Sequence, residues 1–129
     1  MPALSKEDAR KYAVWLAYAR VGLGAAAFLA PVVPARPWIG PVEAARPGAR
    51  VLARAVGGRD LALGLGVVLA DRHDGPVRGW VEGGGIADAG DLLATLLAWR
   101  SLPKLGRLGI LAVTAGAVVA ARVLSPAVD

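Results

Sequence analysis

Cysteine is absent from the 129 residues, which excludes disulfides, thiolate metal sites and CxxC thiol or quinone redox chemistry. Histidine occurs once, as His73. It lies in the polar run Asp71-Arg-His-Asp-Gly-Pro76 and reads as a solvated turn residue. Aromatic residues make up only 5% of the chain, so the 56% that is hydrophobic is mostly Ala, Val and Leu, interspersed with 17 Gly. Small side chains of this kind let helices approach closely in a membrane, where no hydrophobic drive pushes them together. Soluble domains carry about 45–50% apolar residues. The higher content here, with a mean hydropathy of +0.52, predicts a membrane protein, and residues 1–129 suffice for one integral membrane domain.

Acids are the scarcer charge, 10 against 15 Lys and Arg, for a net charge of +5 and a pI near 10.4. The basic residues flank apolar segments rather than forming a stripe, so lipid headgroups are the expected partner and nucleic acid is not. A spanning helix needs about 20 mostly apolar residues. Four segments qualify, at about 12–30, 50–70, 80–99 and 105–124, which predicts an all-α fold, a four-transmembrane-helix bundle. Ser5-Lys-Glu-Asp8 is a capping sequence before the first. A proline-rich stretch from Pro31 to Gly48, with five prolines around Trp38, separates the first two segments and is expected to form a loop or cap over one end. Arg20 interrupts the first apolar run, which opposes a cleaved signal peptide although Val33-Pro-Ala35 resembles a cleavage site. Four spans put both termini on one side. The Lys and Arg counts on the two sides tie, so the lean toward cytoplasmic termini is slight.

Three of the four segments carry charge near the middle: Arg20 in the first, Arg59 and Asp60 in the second, Asp88 and Asp91 in the third. An unpaired charge at that depth costs about 2.5–3.5 kcal/mol on insertion scales. Helical spacing aligns Gly84, Asp88, Asp91 and Thr95 on one face, Ala53, Gly57, Asp60 and Gly64 on a second, and Leu16, Arg20, Gly24 and Ala27 on a third. The expected assembly sets Arg20 and Arg59 against Asp60, Asp88 and Asp91, with Thr95 beside them. Two guanidinium groups and three carboxylates leave one acid over. The arginines compete with any cation, so no metal and no cofactor are expected. Gly109, Val113, Gly116 and Ala120 on the fourth segment form a packing face, either inside the bundle or in a homo-oligomer.

Tyr18-Ala-Arg-Val-Gly-Leu-Gly-Ala-Ala-Ala-Phe-Leu29 and Gly57-Gly-Arg-Asp-Leu-Ala-Leu-Gly-Leu-Gly66 resemble the first two helices of DoxX-like small four-helix membrane proteins. The resemblance is nearest to an actinobacterial branch with an arginine in helix 1, an Arg-Asp pair in helix 2 and paired acids like Asp88-Ala-Gly-Asp91 in helix 3. It implies the four-helix architecture and no particular reaction. Better-known members are associated with quinone or sulfur oxidoreductase complexes, a role that the absence of Cys does not favour here. Three functions stay open. The charge cluster could bind a small polar or amphipathic ligand and move it, or a proton, across the bilayer. Asp88 or Asp91 could serve as general acid or base on a lipophilic substrate, as in an isomerase, cyclase or epoxide hydrolase, with Arg59 steadying negative charge. Alternatively, the pairs could be structural, in an accessory subunit of a membrane complex.

Overall fold

The computed structural model describes residues 4–129, and among them every regular element is helical. Four long helices are α1 (Lys6–Leu29), α4 (Pro47–Arg72), α5 (Arg78–Leu97) and α6 (Lys104–Leu124). Two short ones, α2 (Val32–Ile39) and α3 (Pro41–Ala44), fill the connection after α1, and a 3₁₀ turn, Trp99–Ser101, joins α5 to α6. The expected proline-rich loop is therefore corrected to a helical cap. Prolines are tolerated there because the first turn of a helix has no internal acceptors for its N–H groups. Pro31 precedes α2 and Pro34 lies in its first turn, so only Pro37 removes an internal donor. Gly40, at φ +92°, then ends α2 in a conformation that side chains rarely adopt.

Local chemistry accounts for the ends of the long helices. Ser5 Oγ accepts the Asp8 N–H at 3.1 Å and starts α1 six residues before the apolar stretch. Pro47 occupies the first turn of α4, where its fixed φ suits the helix. At the other end of α4, Asp74 takes φ +52°. The Asp74 and Gly75 N–H groups then close onto the carbonyls of Asp71 and Ala70 at 3.2 and 2.7 Å, a Schellman stop built on aspartate instead of glycine. The Asp129 carboxylate supplies the acceptors at the start of α5, taking the N–H groups of Val77 (3.0 Å) and Arg78 (2.9 Å).

Packing between the long helices relies on missing side chains. A Cβ on Gly57 would stand 2.7 Å from the Gly24 carbonyl oxygen and 2.8 Å from the Phe28 nitrogen, and one on Gly24 would meet the backbone of Leu61 and Gly57 as closely. Gly64 lies against Ala17 and Val21 in the same way. Backbone thus touches backbone along the α1/α4 seam. Ala9, Ala13, Ala17, Gly24 and Ala27 are the buried face of α1. Leu16, expected on that face, is half exposed and points away. Gly85 similarly lets Ala121 of α6 close on α5.

Bulk apolar side chains face outward. The largest fully buried side chains are Val77, Val128 and Thr95, whereas Leu29, Leu97 and Leu105 are 79, 81 and 86% exposed. The accessible surface, 7947 Å², exceeds the roughly 6,400 Å² that size scaling gives a soluble monomer of this mass. α1 and α6 are long and apolar enough to cross a membrane. α4 and α5 are as long, but every 18-residue stretch of either carries at least three charged side chains. The α6 face of Gly109, Val113 and Gly116 also points outward, with nothing near either glycine.

Two predictions follow from these contacts. Gly57→Ala should destabilise the fold by about 1–3 kcal/mol through overpacking, while Gly58→Ala, which meets open space, should be neutral or stabilising; unfolding in detergent checks both. Burial pushes the Asp129 carboxyl up, but the Arg78 and Val77 N–H groups, with the charges of Arg10 and Lys6, outweigh it and hold the carboxyl below its ordinary range. A lowered folded-state pKa adds stability above the unfolded value of about 4 and loses it as pH falls through the folded value. The stability difference between wild type and Asp129→Asn should therefore shrink on acidification below about pH 4.

Candidate functional site

Asp60 lies on the α1/α4 seam between Gly57 and Gly64, so the close backbone approach aims its carboxylate at α1. Arg20 of α1 meets it, Nη1 donating to Asp60 Oδ1 at 3.1 Å. The same guanidinium reaches across Gly84 of α5, where an added Cβ would sit 3.4 Å from Nη2, and Nη2 donates to Asp88 Oδ2. Arg59, one residue before Asp60, curls back and donates to Asp60 Oδ1 through Nε (3.2 Å) and Nη2 (3.0 Å). Its Nη1 and Nη2 also form a fork on Asp91, at 2.9 Å to Oδ1 and 2.7 Å to Oδ2. The five side chains therefore form one alternating line, Asp88–Arg20–Asp60–Arg59–Asp91, that ties α1, α4 and α5 together.

Within that line the carboxylates are unequally served. Asp60 accepts three guanidinium N–H bonds and Asp91 two, whereas Asp88 accepts one. Asp88 also has the least exposed side chain of the five, at 11%, while Arg59 has the most exposed, at 32%. The most buried acid is thus the least compensated. The arginines separate the three acids, and among the described residues no set of three or more His, Asp or Glu could hold a metal ion.

Thr95 belongs to the same α5 face but contacts backbone rather than the charges. Its hydroxyl donates to the Asp91 carbonyl at 2.7 Å and accepts the indole N–H of Trp38 at 3.2 Å. Trp38, on α2, thereby fastens the cap to the helix that carries both Asp88 and Asp91. Its place against Thr95 is not visible from spacing, because it depends on α2 folding back; the cluster of prolines around it was the available signal. Gly106 supports the same docking, since any side chain there would collide with the Pro37 carbonyl. Arg107, one residue on, stacks 4.6 Å from the Trp99 ring centre and donates to the Trp99 carbonyl at 2.7 Å.

No protein-family model, curated protein or solved structure matches this chain.

Removing one partner of a buried pair leaves an uncompensated charge and costs about 3–5 kcal/mol. Arg20→Gln should lose stability of that order, and Arg20→Gln/Asp60→Asn should recover part of it. A double-mutant cycle by denaturant unfolding measures the coupling; strict additivity would contradict the contact.

Proposed function

We propose that this chain is a four-span integral membrane protein of the DoxX-like kind, with α4 and α5 crossing the bilayer beside α1 and α6. In this reading, the Arg–Asp line is a binding site for a small polar or amphipathic ligand and exchanges a proton as it works. Outward-facing apolar side chains along the long helices and the internal satisfaction of the charges on α4 and α5 support the four-span reading. Paired charges are the form in which ionised groups persist in hydrocarbon.

A single observation carries the functional part: two guanidinium groups and three carboxylates form one connected line, with one negative charge in surplus. In a low-dielectric interior a surplus charge has to be balanced by a proton or a bound cationic group. Asp88 is the natural carrier. It has one donor, from Arg20 of α1; Asp60 of α4 and Asp91 on its own helix face it as like charges. α6 has no titratable side chain between Arg107 and Arg122. A proton on Asp88 leaves Asp60 and Asp91 matched to Arg20 and Arg59.

The closure of both arginines on carboxylates favours a second reading, in which the line is a structural clip in an accessory subunit. Proton movement distinguishes the two. Vesicles loaded with a pH-sensitive dye and containing the wild-type protein should acidify under an imposed pH gradient faster than empty vesicles. Asp88→Asn, which keeps the shape and removes the proton, should fold normally and return the rate to the empty-vesicle level. Wild-type flux no greater than background, with Asp88→Asn merely more stable, would support the clip instead.

A further inference from the structure

The capped end of the molecule gathers the end of α1, α2, α3, the start of α4, the end of α5 and the start of α6. The packing of α2 on α6 and the hydrogen bonds of Trp38 to Thr95 and Arg54 to the Phe28 carbonyl hold these together. Seven basic side chains occupy this end and one acid, Glu43, which is paired with Arg46 at 2.9 Å. Arg107 is held inward by Trp99. The other five, Arg36, Arg50, Arg54, Arg100 and Lys104, are exposed and make no ion pair with a carboxylate among the described residues. The opposite end carries six basic and six acidic side chains, several in pairs such as Arg10 with Asp71 and Arg78 with Glu82. Counts of Lys and Arg alone nearly tie between the ends, so the asymmetry lies in where the acids are.

We infer that the capped end binds the headgroups of anionic phospholipids. Unpaired guanidinium and ammonium groups around the rim of a bundle suit phosphate oxygens, which arginine grips through paired N–H donors. Each basic side chain near an anionic leaflet adds to the attraction, and clusters of four to eight recognise such lipids. The balanced opposite end lacks that pull. In a bilayer whose leaflets differ in anionic lipid, this end would take the more anionic side. The inference rests on the bilayer reading of the helices and is independent of the role of the Arg–Asp line.

Wild-type protein in nanodiscs of mixed phosphatidylglycerol and phosphatidylcholine, released into native mass spectrometry, tests this directly. Bound phosphatidylglycerol should exceed phosphatidylcholine by about tenfold. The quadruple variant Arg36→Gln/Arg50→Gln/Arg100→Gln/Lys104→Gln should bring the two near parity, and Lys11→Gln at the other end should leave the preference intact. Excess glycerol phosphate should not displace the lipid; displacement would mean a site for the free phosphate ester. Equal retention of both lipids by the wild type, or an equal loss in Lys11→Gln, overturns the inference. Failure to enter nanodiscs would overturn the bilayer reading and this inference with it.

Discussion

A guanidinium set between apolar helices and partly shielded from solvent needs an acid on a neighbouring helix within hydrogen-bonding reach, and the geometry of this protein follows from that requirement. Arg20 could not touch Asp60 if α1 and α4 packed through ordinary side chains. Gly24, Gly57 and Gly64 bring the two backbones into contact, and Asp60 sits between two of those glycines. Gly84 opens the same guanidinium to Asp88 on α5. Small residues and charges are one device: the glycines provide proximity and the ion pairs convert it into a fixed arrangement of three helices.

The same device explains an inverted distribution of side chains. Alanine, glycine, a few valines and the Arg–Asp line occupy the interior, while most leucines, Trp15 and Trp80 look outward. In water such a molecule would leave bulky side chains such as Leu29, Leu97 and Leu105 exposed, and dispersion within so thin a core would be meagre. In hydrocarbon the outward side chains are at home and the polar line is the part that needs protection. The helical cap serves this end of the structure, with Trp38 anchored on Thr95 directly above the Asp91 turn.

Much of this was legible in the residues. Spacings of four, three and four aligned Gly84, Asp88, Asp91 and Thr95, and Ala53, Gly57, Asp60 and Gly64, and the structure brings Arg20, Arg59, Asp60, Asp88 and Asp91 into one line. The Ser5 cap and the turn at Asp71–Pro76 were equally plain. Less legible was anything decided by tertiary contact. Leu16 and Ala17 are both plausible neighbours of Arg20 by spacing, and only the glycine seam of α4 selects Ala17. Proline counts argued against helix in the cap, because composition does not reveal that Pro34 falls in a first turn, where its missing donor is harmless. Asp129 gives no local sign that it caps α5, since the two meet only through the fold. The imbalance between the two ends required knowing which acids share an end with which bases.

Three carboxylates and two guanidinium groups share one partly buried line, and the proton proposed on Asp88 neutralises its extra charge. Infrared spectroscopy of the protein reconstituted in lipid at neutral pH observes this most directly, because a protonated carboxyl has a C=O stretch distinct from that of a carboxylate. One protonated aspartic acid band, missing from Asp88→Asn, is the expected spectrum. A spectrum with every aspartate ionised, or a protonated band that survives in Asp88→Asn, would contradict it.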